Sequence, residues 1–212
     1  MPDKGIFITF EGPEGAGKTT QIKLLANYFQ QNGIEYIITR EPGGTGIAET
    51  LRELVKHHLS DEPIFPETEL LLFAASRAQH VRHLIKPALL QGKVVLCDRF
   101  MDSTTAYQGY ARGLDAKFIK KLNKFAVGDC LPNLTFLMDM RPEVGFKRAM
   151  TRTDDQGKHD RLESEAIVFH HLVREGFLKI AAAEPIRVKI INAEPHPDQI
   201  HARILEYLQH AL

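Results

Sequence analysis

The chain has little cysteine, no surplus of either charge and no long apolar run. Two cysteines among 212 residues, Cys97 and Cys130, can build neither a disulfide framework nor a four-ligand zinc site. Cys97 sits inside an apolar run, so reduced, buried thiols are expected. Lys and Arg together number 27, as do Asp and Glu, for a formal net charge of zero. That balance argues against a nucleic-acid polymer as partner and for basic groups gathered locally around a small anion. No apolar stretch reaches the roughly 20 residues that cross a bilayer, and "MPDKGIFITF" (1–10) shows no basic region followed by a long apolar one. A soluble, cytoplasmic protein is expected. The length suits one domain, 1–212, with a core large enough to fold unaided.

Short β-branched and aromatic runs are present at 5–12, 35–41, 93–100, 134–140 and 186–193. They alternate with amphipathic segments over 18–32, 46–58, 67–91, 102–109, 115–127, 142–152, 163–183 and 197–211. The alternation predicts an α/β fold, a parallel sheet with helices on both faces. Pro66, Pro142 and Pro197 are placed as first-turn prolines. Apolar periodicity lapses across "TRTDDQGKHDR", about 151–161, and a lapse of that length predicts a mobile lid over a site.

"GPEGAGKTT" follows the first predicted strand and opens the first predicted helix. Gly12, Pro13, Glu14, Gly15, Ala16, Gly17, Lys18 and Thr19 satisfy G-x-x-x-x-G-K-[ST] at every fixed position. By average residue usage a chance match in such a chain is on the order of one per cent or less. Glycines let backbone N–H groups converge on phosphate oxygens, and the helix adds its positive end. Lys18 supplies charge to the β- and γ-phosphates, and Thr19 is a Mg²⁺ ligand candidate, with Thr20 next in the loop. A nucleoside triphosphate is therefore the expected ligand.

Switch GTPases, motor ATPases, transport ATPases and small-molecule kinases share this loop. The guanine reader Asn-Lys-x-Asp is missing, since "NKFA" (123–126) does not match it. The third strand instead ends in Asp98-Arg99, where an acid at a strand's C-terminal end can hold a metal's water shell and an arginine can grip a second phosphate. The alternative is a surface ion pair between the two. The second strand ends in "TREPGGT" (39–45), which brings Arg40 and Glu41 to the same sheet edge ahead of a tight turn. In "ETELLLFAASRAQH" (67–80), Phe73 and Arg77 lie four apart on one helix face, as do Thr104 and Gln108 further on. Phe73 reads either as a core aromatic or as a stacking platform for a base.

Together "FEGPEGAGKTT", "TREPGGT", "LLFAASRAQH", "DRF…STTAYQG" and "DRLE" resemble the bacterial type of thymidylate kinase, in order and over nearly the whole chain. The resemblance implies a P-loop fold with a five-stranded sheet in the order 2-3-1-4-5, transfer of the γ-phosphoryl of ATP to dTMP with Mg²⁺, and a homodimer. It implies that Gly12 to Thr20 bind ATP and that Arg40, Arg52 and Arg99 hold the acceptor phosphate. Phe73 would stack on thymine and Arg77 would address its O4 side. Ser103, Thr104, Tyr107 and Gln108 would complete the acceptor site, with Tyr107 disfavouring a ribose 2′-OH. Glu11 would contact the sugar 3′-OH or, with Thr19 and Asp98, the metal and its waters; alternatively it is a strand-end carboxylate facing solvent. Glu14 stands where other family members carry an arginine, so the resemblance looks to the lid for a catalytic cation. Arg148, Arg152 and Arg161 are the candidates. Arg152 is the choice for the transition state, Arg148 for ATP, and Arg161 for organising the lid with Glu163 or contacting ATP, while Arg141, at the fourth strand's end, would border the adenine. Telling dTMP from dUMP by one methyl is worth about 1–3 kcal/mol, so selectivity against uracil is expected to be incomplete. The competing readings are another P-loop nucleoside or nucleotide kinase, and a nucleotide-dependent switch ATPase that would have no use for Phe73, Arg77 or the 103–108 cluster.

Overall fold

The computed structural model describes residues 5–56, 62–149, 162 and 165–209. Five strands, β1 (Phe7–Glu11), β2 (Tyr36–Arg40), β3 (Val94–Asp98), β4 (Leu134–Asp139) and β5 (Val188–Asn192), form one sheet in the order β2-β3-β1-β4-β5. Every pairing is parallel, as the alternating pattern and the resemblance both predicted. β1 is buried at all five positions, as suits a central strand covered on both faces, while the edge strands β2 and β5 are partly exposed.

Successive side chains of β1 feed opposite layers. Ile8 and Phe10 pack with Ile22, Leu25 and Phe29 of α1 (Lys18–Gln31) and with Ile200, Ile204 and Leu208 of α9 (Pro197–Leu208). Phe7 points the other way, into a cluster with Val95, Cys97, Val81, Ile85 and Phe100. Further along that second face, Leu137 and Val188 pack with Tyr107 and with Phe169, Val173 and Phe177 of α8 (Ile167–Ala183). Both cysteines are buried and neither forms a disulfide. Burial pushes the Cys97 thiol well above its ordinary value and that of Cys130 up to about 11.

The remaining helices are α2 (Gly46–Lys56), α3 (Pro66–His80), α4 (Lys86–Leu90), α5 (Met101–Thr104), α6 (Ala116–Val127) and α7 (Pro142–Ala149). Pro66, Pro142 and Pro197 each open their helix. The segment expected as one helix over 67–91 consists of α3 and α4 joined by a wider π-type turn, Val81–Ile85. A second wide turn, Thr105–Ala111, continues α5 beyond the expected 109. Such turns interrupt the usual backbone ladder and often occur beside functional sites. The second one carries Tyr107 and Gln108. The expected lid, with Arg152, Arg161 and most of its neighbours, lies outside the described residues.

Candidate active site

β1 delivers the chain into the phosphate loop, and the loop's turn delivers it into α1. Gly15 adopts φ +71°, and a Cβ there would come within 2.2 Å of the Gly145 carbonyl oxygen on α7. Only glycine fits a left-handed position pressed that closely against another backbone. α1 begins without a side-chain cap, with Gly17 before it and no acid in its first turn. Its leading N–H groups are thereby left for an anion. Lys18 is buried, and its ammonium curls back to donate to the carbonyls of Pro13 (2.9 Å) and Gly12 (3.3 Å). Burial, aided by Arg99, lowers the Lys18 pKa against the pull of the neighbouring carboxylates. A phosphate arriving there would restore a full counter-charge.

Parallel pairing aligns Arg40 with Asp98 across β2 and β3, and Phe10 with Asp98 across β1 and β3. All three strand ends thus meet at one edge, the usual ligand edge of such sheets. Asp98 accepts from the Thr19 hydroxyl at 2.8 Å. Arg99 turns through a left-handed conformation, φ +66°, unusual for a side-chain-bearing residue. The turn aims its guanidinium at Glu14, at Ser103 Oγ (3.2 Å) and at the Gly12 carbonyl (3.0 Å), over the Tyr107 ring at 5.2 Å. Asp98 and Arg99 therefore engage separate partners across the cleft and do not form a surface ion pair with each other.

Two carboxylates near the loop are tuned in opposite directions. Glu11 is wholly buried and faces no solvent; it accepts from Phe100 N (2.8 Å), Ser103 N (3.2 Å) and Ser103 Oγ (2.6 Å). Burial, reinforced by Asp102, raises its pKa to about 7. Partial burial acts upward on Glu14 too, but Arg99 and then Lys18 overcome it and bring the carboxyl down to about 2. Glu11 stands one layer behind the cleft, under Ser103, which is part of the wall.

The cleft has a volume of about 270 Å³. At its phosphate end the wall includes Glu14, Gly15, Gly17, Lys18 and Thr19, with Arg40, Arg52, Asp98 and Arg99. Arg40 is aimed by Glu49, whose other oxygen accepts from Gly44 N at 2.7 Å. Gly44 adopts φ +87°, with the His80 ring and the Thr39 hydroxyl so close that a Cβ would lie 2.6 Å from each. Arg52 donates to the Pro42 carbonyl at 2.8 Å.

The far end is lined by Phe73, Arg77, Thr104, Tyr107 and Gln108. Phe73 is half-buried at this wall. Arg77 is 1% exposed and held on every side: Nε donates to Glu41 (2.7 Å), Nη1 to Asn123 (2.9 Å), and Nη2 to Thr104 (3.0 Å) and the Phe100 carbonyl (3.2 Å). Glu41 also meets the buried His80 at 3.1 Å. Sequence spacing brought Arg77 and Thr104 to the site but missed Glu41 and Asn123 as Arg77's anchors, because nothing in α6 marks Asn123 as buried. Arg148 and Arg141 lie off the cleft's described wall. Arg148 donates to the carbonyls of Ala193 (3.0 Å) and Glu194 (3.1 Å), and Arg141 pairs with the Glu194 carboxylate at 2.8 Å.

A phosphate loop at one end of a cleft and a buried hydrogen-bonding recess at the other, both at the C-terminal edge of a 2-3-1-4-5 sheet, define the P-loop kinases of small molecules. Comparison with known proteins narrows the class. A family model described as thymidylate kinase matches residues 10–204. A Synechococcus protein (strain JA-2-3B'a(2-13)) named thymidylate kinase is 51% identical over 94% of this chain and 92% of its own. One of the same name from Syntrophotalea carbinolica is 48% identical over 93% and 92%. The crystal structure of thymidylate kinase from Ehrlichia chaffeensis superposes with a TM-score of 0.74 at 38% identity, covering 97% of this chain and 98% of that one. The chain belongs to the thymidylate kinase family.

Proposed function

We propose that the chain transfers the γ-phosphoryl group of ATP to dTMP, giving dTDP and ADP. The observation that carries this reading is the coexistence, in one cleft, of a phosphate loop and a closed recess with an aromatic face and fixed hydrogen-bonding groups, bridged by Arg40, Arg52 and Arg99. Phosphoryl transfer asks a protein mainly for alignment and neutralised charge. The free N–H groups of α1 and Lys18 serve the donor phosphates. Arg40, Arg52 and Arg99 serve the acceptor phosphate, and Phe73, Arg77, Thr104, Tyr107 and Gln108 the nucleoside. Arg152 remains the proposed transition-state cation on sequence grounds, and it lies outside the described residues.

Thr19 and Asp98 fit Mg²⁺: they offer two hard oxygens 2.8 Å apart beside the loop, and this ion takes few protein ligands, with water and phosphate completing the set. Bound there with ATP, it would draw charge from the transferring group. Glu11 supports the wall through Ser103. No described helix is long and apolar enough to cross a membrane, and we place the activity in the cytoplasm. Exposed Leu71 on α3 and Phe118 and Phe125 on α6 support the homodimer implied by the family, which sedimentation would measure.

The test is release of ADP with and without dTMP. Strong stimulation by dTMP is expected. Hydrolysis indifferent to dTMP would favour the switch ATPase. Faster turnover with thymidine than with dTMP would favour a nucleoside kinase, and would leave the three arginines without their anion.

A further inference from the structure

α3 places Glu69, Phe73 and Arg77 at intervals of four, on one face of the helix. Phe73 and Arg77 belong to the cleft wall and Glu69 does not, although it is fully buried. Its Oε1 accepts from Gln108 Nε2 at 2.7 Å, and Arg112 lies 3.4 Å from its Oε2. Arg112 is fixed in turn by Glu165 at 2.6 Å and by the Phe169 ring at 4.6 Å. A side-chain amide has a donor end and an acceptor end, whereas a carboxylate paired with arginine only accepts. Gln108 must therefore turn its NH₂ back toward Glu69. Its carbonyl oxygen is the end left for the cleft that Gln108 helps to line.

We infer that Glu69 is a positioning residue for base selection: it locks the Gln108 amide so that the cleft presents an acceptor beside a donor from Arg77. This rests on reading the cleft as the site of a thymine nucleotide. Four of the five guanidinium N–H groups of Arg77 are engaged by protein, leaving one on Nη1. The pair of groups matches an imide, whose N3–H donates to the Gln108 oxygen while O4 accepts from Arg77. Cytosine reverses both: its N3 is an acceptor and its 4-amino group a donor. Sites that hydrogen-bond their substrate reject a mismatched analogue strongly, because buried groups are left unpaired. Once Glu69 can donate as well as accept, the amide can turn over and donate to cytosine N3, which removes one of the two mismatches and leaves the one at Arg77.

The test is Glu69→Gln, with kcat/KM measured for dTMP and for dCMP and the KM for ATP measured alongside. The dTMP-to-dCMP ratio is expected to fall by at least about tenfold, chiefly through KM, with the KM for ATP unchanged. A merely structural role would depress both acceptors together, so an unchanged ratio overturns the inference whatever happens to stability. Should Glu69→Gln fail to fold, Glu69→Asp, which keeps the charge but withdraws the acceptor, carries the same readout. A smaller fall in the ratio is expected there, and no fall overturns the inference. A wild-type enzyme with no preference for dTMP over dCMP would overturn the thymine reading itself, and the role of Glu69 with it.

Discussion

The two ends of the cleft hold their cations in different ways. At the phosphate end, Lys18 leans on two loop carbonyls, Arg40 on a half-exposed Glu49, Arg52 on a backbone oxygen and Arg99 on Glu14. Each partner is one that a phosphate oxygen can replace with little rearrangement. At the base end, Arg77 is enclosed by Glu41, Asn123, Thr104 and the Phe100 carbonyl, drawn from α5, α6, the connection between β3 and α5, and the end of β2. There four of the five guanidinium N–H groups are engaged before any ligand arrives. The first end is suited to charge that comes and goes during a reaction, the second to a shape that must be the same at every encounter.

This contrast is broken most forcefully by removing one arginine from each end. Arg77→Met strands the buried Glu41 carboxylate, and losing one partner of a buried pair costs about 3–5 kcal/mol. Arg40→Met, at a pair whose side chains are 49% and 37% exposed, should change stability by no more than about 1 kcal/mol, while raising the KM for dTMP. Denaturant unfolding of both variants beside wild type, with steady-state kinetics on Arg40→Met, checks the pair. Equal losses of stability would mean that the two ends are built alike.

The same contrast explains what could be read from the sequence. The phosphate loop was legible because its chemistry lies in consecutive residues on a strand, a turn and a helix. Arg40 and Asp98 were legible because parallel strands end at a common edge, and their aligned register bears that out. The base end depends on how α3, α5 and α6 pack together. Phe73, Arg77, Thr104 and Gln108 could be paired by spacing within their own helices, but Glu41, Asn123 and Glu69 could not. In one dimension Glu69 is simply an acid in the first turn of a helix, a common surface pattern complementing the helix dipole. The wide turns at Val81–Ile85 and Thr105–Ala111 leave no periodic signal either, since a single displaced turn looks like helix in any pattern of apolar residues. Arg152, Arg161 and Glu163 fall outside the described residues.

Within the phosphate end, Glu11 and Glu14 sharpen the comparison, because burial wins at one and neighbouring cations at the other. Glu11 is raised from 4.5 to about 7 in the folded protein. Between those values the folded state holds a proton that the unfolded chain has released. The contribution of Glu11 to stability is therefore greatest below about pH 4.5 and is lost as pH rises through about 7, a change of about 3 kcal/mol. Glu14 runs the other way: held at about 2, it adds stability above pH 4.5 that disappears as the medium becomes more acid. The difference in unfolding free energy between wild type and Glu11→Gln, followed from pH 4.5 to 8, should shift against wild type as pH rises. A flat difference would show that the three donors around Glu11 keep it ionised throughout.

A smaller effect than the change at Glu11 is expected at Phe73, the residue that two readings of the sequence placed differently. It is half-buried on the cleft wall and belongs to none of the three buried clusters that fill the sheet's two faces. In the proposed function its ring stacks on the base while Arg77 and Gln108 meet the base's edge, and stacking of this kind is worth about 1–3 kcal/mol per base. Phe73→Ala should weaken dTMP binding by that amount and leave ATP affinity unchanged, as read by titration calorimetry with each nucleotide. A core aromatic would behave otherwise, since its truncation costs about 3–5 kcal/mol of stability and would disturb both nucleotides. Similar losses for dTMP and ATP, with a lowered Tm, would return Phe73 to the core and leave the base edge held by Arg77 and Gln108 without an aromatic platform.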